Sequence, residues 1–143
     1  MTAHVVIIRE PYLTRVLSGE KTVESRFLHI RAAPFGCVVP GDLLLLKRVG
    51  GPIVAEASAG AVREFADLSP ARVLALIDAF REQLRLDADF VARAQTARYA
   101  VLIWLAELRA LDMPRPYAKR DRRGWVVLTE VENEELRIEN RDV

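Results

Sequence analysis

The sequence predicts an α+β fold, a small and mostly antiparallel sheet carrying a helical insertion. Three observations point to it. Short runs rich in Val, Ile and Leu recur between turn signals, as strands do. A sustained helical period of apolar residues occurs over one stretch, about 69–97. Hydrophobic residues make up 51% of the 143, enough to bury a core and too many for a disordered chain.

His4-Val5-Val6-Ile7-Ile8 is β-branched and soon meets charge, so it reads as a strand. Pro11 lacks the N–H that a first helical turn leaves orphaned, and Leu13, Val16 and Leu17 share a face. Gly19 stands where a left-handed cap is wanted. Residues 11–18 are therefore expected as a short helix, with a strand over 21–28. Ala33-Pro34-Phe35-Gly36 and Pro40-Gly41-Asp42 are turns. Residues 42–48 form an apolar strand expected to be buried on both faces, and Gly50-Gly51-Pro52 turns it into a strand over 53–65. Ser69 is an N-cap and Pro70 an N1 residue, followed by Val73, Ile77, Phe80 and Leu84 at helical spacing. Asp87 is placed to cap a second helix running to about Ala97. In 99–108 the Tyr, Val, Ile and Trp content favours a strand, whereas Leu, Ala and Glu would permit a helix. The segment is assigned to the sheet, ended by Pro114 and Pro116, and residues 125–129 make a last strand. With no repeat, linker or low-complexity stretch, residues 1–143 read as a single domain with an acidic tail from about 130 to 143.

Lys and Arg total 21 against 20 Asp and Glu, a net charge of +1. That excludes a bulk polycationic nucleic-acid binder but not a local basic patch. Cys37 is the only cysteine, so it forms no internal disulfide and is expected as a small buried hydrophobe. His4 and His29 make a poor metal-ligand set, so neither metal nor cofactor is expected. The apolar runs 5–8 and 99–106 are too short for a secretory core or for a membrane span of about 20 residues. A cytoplasmic protein without a membrane partner is expected.

The first cluster able to carry chemistry is Gly19-Glu20-Lys21-Thr22-Val23-Glu24-Ser25-Arg26, where a helix gives way to a strand. Alternation puts Thr22, Glu24 and Arg26 on one face and Val23, Ser25 and Phe27 on the other, with Lys21 at the turn. These polar groups could converge on a cleft. A lysine beside a carboxylate can act as base or nucleophile if burial lowers its pKa. The competing reading is ion pairing of Glu24 with Lys21 or Arg26 at the surface, which is worth little.

These residues also carry a resemblance. Pro11-Tyr12, then the Gly19 to Arg26 stretch, then Gly41-Asp42 resembles the ASCH domain signature: Gly-x-Lys-x-x-Glu-x-Arg after a short helix, followed by a Gly-Asp turn into a strand. The resemblance is strong over residues 4–65 and weaker beyond. It implies a PUA-like fold, a small, partly open barrel of mixed and antiparallel strands with flanking helices and a cleft lined by that stretch. The family is associated mostly with RNA. One bacterial member is an amidohydrolase acting on N4-acetylcytidine and another is a ribonuclease. In the amidohydrolase a lysine at the position of Lys21 is catalytic, beside a threonine and a glutamate. Lys21 is retained here, and Glu24 stands at the threonine position.

The second cluster spans Arg115 to Trp125, with five positive charges, one negative charge and two aromatics. Tyr117, Lys119 and Arg120 are its candidate phosphate and base contacts, and the alternative is a solvated loop before a strand. Trp125 and Trp104 are expected in the core. The tail that follows is acidic and could pair with the loop. Around the first cluster, Tyr12 could stack on a base or simply pack. Arg9 and Lys47, at strand ends, lie within expected reach of the cleft.

Three readings follow. The leading one is a module binding RNA, a short single strand or a nucleoside, with Lys21, Glu24 and Arg26 in the cleft. The second is a metal-independent hydrolase on an acylated nucleoside, with Lys21 activating water or the amide, Glu24 moving the proton, and Thr22 or Tyr12 orienting the amide oxygen. The third is a protein-interaction module using the helical insertion.

Overall fold

A computed structural model describes residues 1–118 and 122–141. Its strands are β1 (Ala3–Ile8), β2 (Val23–Leu28), β3 (Leu43–Arg48), β4 (Ile53–Phe65), β5 (Tyr99–Arg115) and β6 (Trp125–Val127). Its helices are α1 (Tyr12–Leu17), α2 (Pro70–Ala79), α3 (Arg81–Leu84), α4 (Ala88–Ala94) and α5 (Glu130–Arg141). The strands make one sheet in the order β2-β5-β4-β3-β1-β6. Neighbours are antiparallel except β1 and β3, which run parallel, so the sheet is mixed as expected.

The sheet curls far enough for its two edges to meet. Arg26 on edge strand β2 reaches the carbonyl of Gly124, next to edge strand β6, at 3.0 Å. It also reaches the carbonyl of Ile7 on β1 at 2.9 Å. One side chain thus stitches the seam of a partly open barrel. The concave face holds an apolar core that includes Val6, Ile8, Leu44, Val101 and Ile103. On the outer face, α2 to α4 cover β2 and β5 through Val23, Leu84 and Leu102. Elsewhere on that outer face, Leu136 of α5 packs with Val5, Leu45 and Val126. Burial from both sides explains why Leu44, Leu45, Leu46 and Lys47 are all buried.

Several boundaries differ from the sequence reading. Pro11 occupies the N-cap of α1, not its first turn, and Glu10 accepts the Thr14 N–H at 2.9 Å. The strand expected over 21–28 begins at Val23. Lys21 gives its amide N–H to the Arg15 carbonyl (2.9 Å) and Thr22 to that of Gln83 (3.0 Å). The helix from Ser69 breaks at Phe80, whose ψ of 28° leaves the helical region, so α3 is a separate turn. β5 runs on through Pro114 to Arg115. Its other neighbour, β2, stops opposite Trp104, and a proline is tolerated where no partner needs its missing N–H.

The last strand stops at Val127 and the acidic tail is helix α5, because Thr129 caps it. Its hydroxyl accepts the Glu132 N–H at 3.1 Å, while its own N–H reaches the Glu132 carboxylate at 3.4 Å. Glu130 and Glu132 then sit in the first turn, where the helix dipole favours negative charge. Cys37 is exposed rather than buried, since it lies in the turn after Pro34 with its Sγ near the Phe35 carbonyl. Among the described residues, no helix is long and apolar enough to cross a membrane.

Candidate functional site

Register decides what β2 presents to the concave face. Glu24 pairs with Ile103 and Arg26 with Val101, and both partners belong to the inner core. Paired residues share a face, so Glu24 and Arg26 point inward. Val23 and Phe27 face the helical insertion instead. The alternation read from the sequence therefore holds within the strand.

Lys21 lies just before that strand and is only 2% exposed. Its Nζ donates to the carbonyl of Leu84 at 2.6 Å, satisfying the last carbonyl of α3. It also lies 5.6 Å from the centre of the Tyr12 ring. Burial pushes its pKa below the ordinary lysine range. Glu24 opposes that shift, and Arg26 and Arg15 add to it.

Glu24 is itself buried. Its Oε1 accepts the Ser25 N–H at 2.8 Å. Its Oε2 has no hydrogen-bond donor and stands 3.7 Å from Arg26 Nη2, an ion-pair distance only. Ser25 Oγ is likewise buried and unpartnered. Arg26 lies 5.3 Å from the centre of the Trp125 ring. Lys21, Glu24 and Arg26 thus form one charged group beside Tyr12 and Trp125.

The remaining candidates scatter. Thr22 is exposed, bound through its backbone to Gln83 and Leu105. Tyr12 is buried, and its hydroxyl accepts the Asp87 N–H at 3.3 Å, so it packs beside Lys21 with its polar tip in use. Arg9 is exposed, and its carbonyl takes the first N–H groups of α1. Lys47 pairs with Ile7, whose core lies on the outer face, and its Nζ donates to the Arg48 carbonyl at 3.1 Å. Tyr117 packs against that same outer core. Lys47 and Tyr117 therefore both lie on the outer face, across the sheet from Glu24 and Arg26. Lys119 and Arg120 lie outside the described residues.

Sequence reasoning missed what supports the group. Arg15 donates to the carbonyl of Arg85 at 2.7 Å and pairs with Asp87 at 2.9 Å. With the Thr22, Lys21 and Tyr12 contacts, these bonds fasten residues 83–87 across Lys21 like a strap. Behind Leu84 an open groove of about 450 Å³ separates α2 from α4. His4 was also missed. It is fully buried between Asp42 and Trp125, at 2.9 and 3.0 Å. The signal was available: His4 shares the face of Val6 and Ile8, and an inward polar residue needs a partner.

No family model matches this sequence, and no curated protein matches it. Among solved structures, the ASCH protein from Zymomonas mobilis superposes with a TM-score of 0.71 and 14% identity, over 95% of this chain and 94% of that one. A Tyr-to-Phe variant of the Zymomonas mobilis protein gives 0.71 and 15%, over 96% and 98%. Superposition across nearly the whole of both chains, with the Lys-Glu-Arg stretch entering β2 behind a short helix, identifies the architecture: this chain has the ASCH fold.

Proposed function

We propose that the protein binds RNA or a nucleoside through Lys21, Glu24 and Arg26 at the concave face. One observation carries this reading. Glu24 Oε2 is buried beside two cations without a donor. A buried acceptor left empty costs about 1–3 kcal/mol, which a purely structural ion pair would normally avoid. A ligand N–H is the donor such an oxygen lacks, reachable once the groups that cover Glu24 move aside, and a carboxylate accepting from a base amine is a common way to read a base. Arg26, part-buried and 5.3 Å from the centre of the Trp125 ring, supplies a cation beside it.

The test is titration with nucleosides, nucleotides and short oligonucleotides. Glu24→Gln and Arg26→Lys should each weaken binding, and added salt should weaken binding of the phosphorylated ligands. Binding indifferent to both variants and to salt would remove the reading.

A hydrolytic reading is favoured by the lowered lysine pKa beside a carboxylate. A neutral Lys21 amine could take a proton from water attacking an acylated amine, and Glu24 could pass that proton to the departing nitrogen. Reaching Lys21 Nζ requires the Leu84 carbonyl to yield its hydrogen bond. A panel of acylated nucleosides including N4-acetylcytidine, assayed with wild type and Lys21→Ala, tests this. Turnover that survives loss of the lysine rules it out as the base.

A further inference from the structure

The concave face of β2 continues past Arg26. Leu28, two residues on and about 7 Å further along the strand, pairs with Tyr99. There an arginine lies beside two aromatic rings. The guanidinium of Arg31 lies 5.3 Å from the centre of the Phe35 ring and 5.7 Å from that of Tyr99. The two rings meet edge to face at 5.4 Å, which fixes both. Phe35 packs against the same inner core that Glu24 and Arg26 face. Arg31 is exposed, and among the described residues no carboxylate pairs with it. The nearby acid, Glu64, is bonded to the Gly36 N–H.

We infer that Arg31, held beside the Phe35 and Tyr99 rings, is a second subsite that takes the next unit of a single-stranded polynucleotide whose first unit lies at Arg26. An exposed guanidinium braced beside aromatic rings offers N–H donors to a phosphate and a planar cation to a base. No self-contained role accounts for it: it caps no helix and closes no ion pair within the described residues. The inference rests on the proposed nucleic-acid site and adds to it that the ligand is an oligonucleotide of at least two residues.

The experiment compares a nucleoside monophosphate with oligouridylates and oligocytidylates of two to eight residues, by fluorescence anisotropy and calorimetry. Wild type should bind the dinucleotide and longer ligands about tenfold more tightly than the monophosphate, and Arg31→Ala should erase that gain while leaving the monophosphate unaffected. Arg31→Lys should recover only part of it, since charge returns without the plane. Arg31 is exposed, and a thermal melt confirms that each variant is folded. Equal losses on short and long ligands, or no loss at all, overturn the subsite. If oligonucleotide binding needs Arg26 and Glu24 but ignores Arg31, the subsite fails and the proposed function stands. If it needs Arg31 but ignores Arg26 and Glu24, the concave-face reading fails, and with it the placing of Arg31 as the subsite next to Arg26. Wild type that binds neither ligand overturns both.

Discussion

Trp125 donates its indole N–H to Nδ1 of His4 at 3.0 Å. An indole nitrogen only donates, so that Nδ1 is bare and the ring proton sits on Nε2, aimed at Asp42 Oδ2 at 2.9 Å. The other side of the relationship is Arg26, whose guanidinium lies by the Trp125 ring. Asp42, His4, Trp125 and Arg26 therefore make a continuous line across the barrel interior. It joins the Gly41-Asp42 turn to the Lys21–Arg26 stretch, the two halves of the motif that are far apart in sequence. The turn thus reaches the candidate site through a chain of side-chain contacts.

Asp42 should matter most in acid. Burial pushes its pKa up, but hydrogen bonds from His4, Val39 and Thr2 outweigh that and hold it below the ordinary aspartate value. A depressed carboxyl contributes stability that is present above its unfolded pKa and is lost as pH falls through the folded one. Asp42→Asn puts a donor where either the Thr2 N–H (on Oδ1) or the Val39 N–H (on Oδ2) now points. It should cost about 1–3 kcal/mol at neutral pH. Urea unfolding of both proteins from pH 7 into the acid range should show the gap closing as wild type protonates. A gap independent of pH would mean that the charge on Asp42 is irrelevant.

Lys21 should produce a slope of the opposite origin. Its folded pKa is depressed, chiefly by burial, so above that value the unfolded chain holds the extra proton. Stability then rises with pH until the ordinary lysine value is reached, by at most about 1.4 kcal/mol per pH unit. Lys21→Met keeps an apolar stem and abolishes the group. The difference in unfolding free energy between wild type and Lys21→Met should shift in favour of wild type from pH 7 to 10. Parallel curves would show that the lysine keeps its proton when folded.

How much of this was legible depends on the range of the interaction. The inward set Glu24 and Arg26 follows from strand alternation, a local rule, and it held once β2 began. Lys21 at the turn was also placed correctly. Its partner was not, because the Leu84 carbonyl is brought to it by a helix end 63 residues away. Arg26 shows the same limit, since its acceptors are the backbone carbonyls of Ile7 and Gly124, which no residue type announces. Lys47 was misplaced because an uninterrupted apolar strand gives no clue to which face is inner. Thr129 and Glu132 did form a capping box in the sequence, but the β-branched run before them drew the strand too far.

Gly124 offers a way to move Arg26 without replacing it. A Cβ built on Gly124 would come within 2.9 Å of Arg26 Nη1. That atom ends a flexible side chain, so the chain can swing aside and the fold should lose only about 1–2 kcal/mol. The swing would break the bond to the Gly124 carbonyl and lift the guanidinium from Trp125. Gly124→Ala should therefore melt close to wild type yet bind nucleotide as poorly as Arg26→Lys. Full binding in Gly124→Ala would show that the position of the guanidinium does not matter.

The strap over Lys21 can be tested through lysine chemistry, because the chain has only three lysines, Lys21, Lys47 and Lys119. An amine acylates only when it is both unprotonated and reachable. Lys21 is buried under residues 83–87, so mild acylation with peptide mapping should label it far more slowly than the exposed α-amino group. Arg15→Ala removes the bonds to the Arg85 carbonyl and to Asp87, two of the strap's fastenings. Labelling of Lys21 should then rise several-fold through local opening, while Lys47, beneath a different part of the fold, should not change. The direction is informative because charge alone acts the other way. Arg15 helps to lower the Lys21 pKa, so deleting it leaves the lysine more protonated and slower to react. Faster labelling in the variant would report opening of the strap. Unchanged or slower labelling would mean that Leu84, fully buried in the outer core, holds the strap closed without Arg15.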